Sequence, residues 1–166
     1  MADTMHERFA NSWTHDNRST MALAVWSSMI VLIGTLPLSN FVGHSHWEYI
    51  QWSVYSRQWR SMRFYFDVIA NIALFYPFGL LLARRFSEHH GNNALALVGA
   101  GLLVSVCIEL FQVFCHNRFP SLIDVVSNTG GTALGVATAH KVFSHWLFDA
   151  WFPSLTPIPP DRNHVL

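Results

Sequence analysis

The sequence predicts an all-α membrane protein with four transmembrane helices and an interfacial aromatic loop between the first two. Apolar residues make up 51% of the 166 residues and charged residues only 12%, which is roughly half the charged share of a typical soluble domain. Apolar runs long enough to cross a bilayer recur along the chain, and polar or proline-containing connections separate them. The aromatic content of 14% includes 7 Trp residues, which suits a chain that crosses the headgroup layers.

The first apolar run, residues 20–38, contains no Asp, Glu, Lys or Arg, and as a helix it would rise about 28 Å. Because it is longer than a signal-peptide core and lacks an evident cleavage pattern, we expect a retained helix that ends near Gly34 and Pro37. The second run, residues 64–83, includes Pro77, which predicts a kink. The third and fourth runs are residues 94–115 and 120–143.

These runs divide the chain into a lead-in at residues 1–19, a transmembrane domain at 20–145 and a proline-rich tail at 146–166 that begins with an interfacial aromatic anchor. In the loop at 39–62, Trp52, Tyr55 and Trp59 recur at helical steps, which predicts an interfacial helix. An ordinary packed loop is the alternative.

Basic residues favour cytoplasmic termini by a small margin. With the N-terminus inside, the inner segments hold Arg8, Arg18, Arg84, Arg85, Lys141 and Arg162, and the outer ones hold Arg57, Arg60, Arg63 and Arg118. This is a weak positive-inside bias. The net charge is zero and no basic stripe is present, so no nucleic-acid partner is expected.

Polar side chains gather near one end of three predicted helices. Each pair lies roughly 5–10 Å in from a helix end on the same membrane face. The pairs are Asp67 and Asn71, Gln112 and Glu109, and Asp124 and Asn128. Arg118 follows the third run and falls just above this layer. Because ionisable groups are costly at membrane depth, we predict one polar pocket that opens to the outer face.

Three uses of this pocket stay open. Arg118 can bridge Glu109 and Asp124 in a structural network that fixes the helices in register. Alternatively, the amides and Arg118 hold a phosphate, carboxylate or sugar headgroup, or Glu109 and Asp124 act as acid and base. Asp67 is expected to pair with Arg63 or Arg118 and not to act on its own.

No metal or other cofactor is expected from the sequence. His44 and His46 form one close pair and His89 and His90 another, but neither has a third ligand nearby, and zinc sites need three or four. Cys107 and Cys115 both lie in the third apolar run and are interpreted as buried thiols.

Two further patterns lie on the fourth run. Ser121 and Asp124 have the spacing of a capping box, with Asp in place of the usual Glu or Gln. Gly131, Gly135 and Ala139 form a line of small residues at four-residue steps. Such a line lets another helix approach closely, so Gly131 and Gly135 are a possible contact for a partner helix.

The ordered set of polar motifs resembles the VanZ-like family of small bacterial membrane proteins. It comprises Asn71-x-x-Leu74-Phe75-x-Pro77-Phe78-Gly79, Glu109-x-x-Gln112, Arg118, and Asp124-x-x-x-Asn128-x-x-Gly131 with Gly135. The resemblance covers residues 71–135 and implies a site formed by Asn71, Glu109, Gln112, Arg118, Asp124 and Asn128. The first helix, the Trp-rich loop and the tail carry no part of this pattern.

The resemblance implies a role at the bacterial inner (cytoplasmic) membrane, since the family takes its name from resistance to glycopeptides, chiefly the lipid-tailed teicoplanin. Our first hypothesis is a non-enzymatic protein that binds or modulates an envelope lipid or lipoglycopeptide headgroup, with Arg118 as the positive contact. The second is an enzyme that acts on a lipid-linked envelope precursor through Glu109 or Asp124. The third is a scaffold subunit of an envelope assembly.

Overall fold

The computed structural model describes residues 3–52, 61–90 and 93–144. Within these ranges the secondary structure consists of helices and two isolated β-bridges, without a strand. The four α-helices are α1 (Asp3–Thr35), α2 (Met62–His90), α3 (Ala94–Gln112) and α4 (Leu122–Ser144). The helical fold class is therefore confirmed, while the predicted tail lies outside the described residues.

Three of these helices are long and apolar enough to cross a membrane. The spans are Asn17–Thr35 in α1, Met62–Phe86 in α2 and Ala94–Gln112 in α3. α4 does not meet the same hydropathy criterion, because Ser, Thr, Gly and Asn interrupt its apolar residues. The fourth transmembrane helix is thus present as a helix, and its membrane crossing stays a prediction.

The helix boundaries differ from the apolar runs where polar residues continue a helix. α1 begins at Asp3, so the predicted lead-in is largely helical, and it ends at Thr35, before Leu36 and Pro37. The residue before a proline rarely adopts the helical conformation, which explains why α1 ends before Leu36. α2 continues to His90 beyond the last residue of its apolar run, and α3 ends at Gln112, earlier than predicted.

α2 is the central helix and packs most extensively on α4. Backbones approach closely there, since a Cβ on Gly131 would lie 2.6 Å from the carbonyl oxygen of Ile72, and one on Gly135 would lie 2.8 Å from the amide nitrogen of Leu80. The small-residue line on α4 therefore faces α2 of the same chain. This packing leaves no room for a partner helix at Gly131 and Gly135.

Pro77 lies within α2, which continues through it as one helix. Proline removes the donor that the carbonyl of Ala73 would otherwise receive. The indole Nε1 of Trp26 in α1 donates to the next carbonyl, that of Leu74, at 2.9 Å. A neighbouring helix thus supplies a donor beside the gap in the backbone hydrogen bonds. The apolar core nearby joins α1, α2 and α3 through Ile30, Phe75, Phe78, Leu82 and Ile108.

The described part of the loop between α1 and α2 packs on the connection between α3 and α4. Short 3-10 turns occur at Leu38–Asn40 and Trp47–Tyr49. Backbone bonds to the α3–α4 connection run from Val42 N to Phe114 O (3.0 Å) and from His116 N to Asn40 O (2.7 Å). Trp52 follows the second turn in non-helical backbone. Tyr55 and Trp59 lie outside the described residues, so the predicted aromatic helix stays a prediction.

Candidate functional site

A cavity of about 640 Å³ lies at the end of the bundle where α1 and α3 end and α2 and α4 begin. The polar residues expected to share one layer all line it: Asp67, Asn71, Glu109, Gln112, Arg118, Asp124 and Asn128. α1 contributes Ile30, Ile33 and Gly34 to the wall. This fourth wall could not be predicted from the sequence, because these α1 residues are apolar or glycine and resemble ordinary membrane-facing positions.

Glu109 connects α3 to the start of α4. Its carboxylate Oε2 accepts a hydrogen bond from the backbone N–H of Ser121 at 2.8 Å, and the residue is buried. The predicted capping box assigns that N–H to Asp124, so this half of the prediction is wrong. In the other half of a capping box, the serine hydroxyl accepts from the backbone N–H three residues later. Here Ser121 Oγ accepts from the N–H of Ile123, two residues later, at 3.2 Å, so this half holds in part. The cap of α4 is therefore shared between its own serine and a carboxylate from the neighbouring helix.

The remaining backbone donors at the start of α4 are also used within the protein. The N–H of Leu122 donates to the carbonyl of Gln51 at 3.2 Å, and the N–H of Asp124 donates to the carbonyl of Ser121 at 3.1 Å. An anion bound in the cavity would therefore have to contact side chains, because this helix N-terminus has no spare amides to offer it.

Asn71 and Asp124 connect α2 to α4 across the cavity. The Asn71 side-chain amide Nδ2 donates to Asp124 Oδ1 at 2.8 Å, and both side chains are half-buried. Asp124 thus has an amide partner in place of the predicted arginine. Interhelical hydrogen bonds of this kind fix the relative register of two membrane helices.

Asn128 is buried and forms a hydrogen bond with Ser105, which is not among the predicted site residues. Its Nδ2 donates to Ser105 Oγ at 2.9 Å, while its Oδ1 is buried without a hydrogen-bond partner among the described residues. Ser105 lies four residues before Glu109, which places both on one face of α3 and is the signal that could have identified it. The amide of Asn128 therefore connects α4 to α3 through one of its two polar atoms.

Arg118 does not form the predicted bridge. Its guanidinium Nη2 donates to the backbone carbonyl of Leu36, and in the described chain it makes no ion pair with Glu109 or Asp124. Gln112 acts in a similar way, since its Nε2 donates to the carbonyl of Gly34 at 2.9 Å. Both side chains thus satisfy carbonyls at the end of α1, where helical partners are missing. The remaining guanidinium donors can still contact a ligand.

Asp67 also lacks the predicted arginine partner. It is exposed, and no ion pair joins it to Arg63 or Arg118 within the residues that the structure covers. All three side chains line the same cavity. The rim of the cavity therefore carries charges of both signs that are not neutralised by direct contact.

A group of histidines lies beside this cavity. His44, His46 and His116 each offer a ring nitrogen, and these nitrogens all lie within 4.8 Å of one another. The prediction that the pair His44 and His46 has no third ligand nearby is therefore wrong. His116 is distant in sequence and comes close only because the α3–α4 connection packs on the preceding loop. Cys115 is buried as predicted, whereas Cys107 is exposed.

The sequence also matches a known protein family. The sequence model of the VanZ/LLP1 family matches residues 7–144. The chain belongs to the VanZ/LLP1 family. This VanZ/LLP1 match includes α1 and the loop that follows it, beyond the motifs at residues 71–135, and together with the three apolar helices it identifies a membrane protein. Neither the curated proteins nor the solved structures gave a significant match.

Proposed function

We propose that this VanZ/LLP1 protein binds the headgroup of an amphiphilic envelope molecule, a lipid or lipopeptide, in the cavity between its helices. The observation that carries the proposal is the mixed lining of that cavity. The polar residues of the predicted site share it with apolar side chains of α1, α2 and α3, including Ile30, Val68, Leu74, Phe75 and Ile108. A ligand with a polar head and an apolar tail matches both kinds of surface.

Arg118 is the proposed positive contact for this headgroup. One of its donors is used by Leu36, and that bond holds the guanidinium at the cavity while other N–H groups stay available. A guanidinium binds phosphate or carboxylate through two parallel hydrogen bonds, which an ammonium cannot do. The exposed carboxylate of Asp67 then suits a donor or a positive charge on the same headgroup, and Asn128 lines the same cavity.

We place the protein in the bacterial inner membrane as a multi-pass protein with four spans and cytoplasmic termini. α4 has 23 residues, which as a helix rise about 34 Å and suffice to cross the hydrocarbon layer. Its close packing on α2, a helix of spanning length, supports the same crossing. With this orientation the cavity opens toward the outer face, where envelope precursors and glycopeptides are present.

A link to teicoplanin resistance is part of this proposal, since a lipid-tailed glycopeptide has the amphiphilic character that the cavity suits. Loss of the gene is expected to raise sensitivity to teicoplanin more than to vancomycin, which lacks the lipid tail. If loss of the gene changes susceptibility to neither drug, the protein has no role in resistance. Lipid binding would then have to be tested separately.

An enzyme that acts on a lipid-linked precursor is the second candidate. Glu109 and Asp124 line one cavity but have different partners, a backbone amide and a side-chain amide. Carboxylates in unequal surroundings can divide into an acid and a base. Glu109→Gln distinguishes the two functions, because catalysis requires the ionisable group whereas a binding role tolerates the neutral isostere better.

Native mass spectrometry of the purified full-length protein tests the binding proposal. The wild type is expected to retain an anionic lipid or lipid-linked molecule that Arg118→Lys retains at least about tenfold less, the loss expected for one charge-assisted hydrogen bond. Arg85→Lys is the matched control, because Arg85 lies at the other end of α2 and donates to Thr20. Equal retention by both variants would contradict the proposal.

A further inference from the structure

The rings of three histidines face one another at the cavity end of the bundle. The ring centroids of His44 and His46 are 4.6 Å apart, those of His46 and His116 are 4.9 Å apart, and those of His44 and His116 are 5.5 Å apart. Their planes meet at steep angles of 63°, 89° and 84°. The three rings therefore form one compact cluster.

His46 is built like a metal ligand in two respects. Its Nε2 is buried and has no hydrogen-bond partner among the described residues, which is costly for a polar atom unless a ligand compensates. Its Nδ1 lies 3.6 Å from the carboxylate of Glu48. This distance is longer than a hydrogen bond. A small rotation of the exposed Glu48 side chain would let its carboxylate accept from Nδ1–H, the arrangement that leaves the other ring nitrogen of a metal-binding histidine as the ligand.

Backbone hydrogen bonds hold two of the three histidines, His46 and His116, in place. The N–H of His46 donates to the carbonyl of Val113 at 2.9 Å, and the N–H of His116 donates to the carbonyl of Asn40 at 2.7 Å. The ring of Tyr49 stacks on that of His46 at a centroid distance of 5.3 Å. Two segments that are distant in sequence are thereby fixed against each other, and the ligands need only small side-chain rotations to close on an ion.

We propose that His44, His46 and His116 bind a divalent transition-metal ion, with Zn²⁺ as the preferred occupant. Three neutral imidazoles suit zinc, copper or nickel, whereas calcium and magnesium require oxygen ligands. In a tetrahedral zinc site with bonds of about 2.0–2.1 Å the ligand nitrogens lie about 3.3–3.4 Å apart. The ligand nitrogens lie within 4.8 Å of one another, so each separation must shorten by at most about 1.5 Å to reach this geometry.

Three protein ligands leave a fourth position for water or for an oxygen of a bound molecule. His116 precedes Asn117 and Arg118, which line the cavity, so this position lies beside the proposed headgroup site. The metal site does not depend on headgroup binding, because the protein itself supplies the three histidine ligands.

Zinc binding by the full-length protein, purified with a tag that contains no histidine, tests the site. After desalting we expect one Zn²⁺ per chain, and competition with a chromophoric chelator measures its affinity. His46→Asn and His116→Asn should each weaken the affinity by more than about 100-fold, and Glu48→Gln by about 10–100-fold, the range for a carboxylate that supports a ligand. His140→Asn, on the exposed surface of α4, should leave it unchanged.

His44→Asn covers the case in which the half-buried His46 variant misfolds, because His44 is exposed and its replacement should leave the fold intact. Absorption of the Co²⁺-loaded protein gives an independent readout, since loss of one of three nitrogen ligands changes the visible bands. The proposal is overturned if the wild type retains no stoichiometric Zn²⁺, or if His44→Asn binds zinc as tightly as His140→Asn.

Discussion

The carboxylate of Glu109 on α3 accepts the backbone N–H of Ser121, the residue that precedes α4, at a distance of 2.8 Å. Ser121 and Glu109 are both buried, so water does not compete for this bond. A carboxylate of the predicted site therefore caps the start of α4, the helix that carries Asp124 and Asn128. The packing of α3 and α4 and the shape of the cavity therefore depend on the same residue.

Glu109→Ala is expected to destabilise the protein by about 1–3 kcal/mol, the cost of leaving a buried donor without an acceptor. Glu109→Gln keeps an acceptor at the same place and is expected to cost less than about 1.5 kcal/mol, the difference between a charged and a neutral acceptor. Unfolding in mild detergent, followed by the far-UV CD signal, measures both. Leu110→Ala, at the exposed neighbouring position, is the control. A Gln variant as unstable as the Ala variant would show that the charge itself holds the fold.

The bond between Asn71 and Asp124 predicts a rescue by exchange. Asn71→Asp alone sets two carboxylates against each other and is expected to cost up to about 3 kcal/mol, the penalty for an ionisable group at membrane depth. Combining it with Asp124→Asn restores one amide and one carboxylate with the direction of donation reversed. The double variant should therefore regain most of the lost stability. Additive losses in this double-mutant cycle would mean that the two side chains do not interact.

Adjacent glycines on α4 should respond oppositely to alanine. Gly131→Ala places a Cβ 2.6 Å from the carbonyl oxygen of Ile72 on α2, which forces the helices apart and is expected to cost about 1–3 kcal/mol. Gly130→Ala meets no atom within 4 Å and should gain about 0.5–1 kcal/mol from the higher helix propensity of alanine. Thermal unfolding of the two variants measures the difference. If both changes are neutral, α4 does not pack on α2 at this distance.

The proposed orientation predicts opposite labelling of the two ends of α3. In a variant without Cys107 and Cys115, a cysteine at Phe119, beyond the C-terminal end of α3, should react with a membrane-impermeant maleimide in intact cells. A cysteine at Asn93, before the N-terminal end, should react only after the membrane is permeabilised. Both positions are exposed in the structure. The reverse pattern would place the cavity on the cytoplasmic side.

Much of the arrangement could be predicted from the sequence, because helix periodicity and membrane thickness restrict where polar groups can lie. Asn71, Glu109 and Asp124 were expected in one layer from their distances to helix ends, and the structure brings them to one cavity. The helix ends near Pro37 and Ser121 also followed from local chemistry.

The partners of these groups could not be predicted, since they depend on which side chains face each other across helices. Charge alone favoured Arg118 as the partner of the acids, yet a backbone N–H and an amide take that place, and Arg118 donates to Leu36. The third histidine was missed for the same reason. His116 meets His44 and His46 through the packing of two loops, which leaves no periodic pattern in the sequence.

Photo-crosslinking from the cavity tests headgroup binding most directly. A photoreactive phenylalanine analogue replaces Phe119, an exposed residue that lines the cavity, and in a separate variant replaces Leu95, which is exposed near the opposite end of α3. The adducts formed in native membranes are identified by mass spectrometry. The account predicts that position 119 captures one anionic lipid or lipid-linked species enriched over its membrane abundance, while position 95 captures bulk lipid. The same lipid composition at both positions would contradict it.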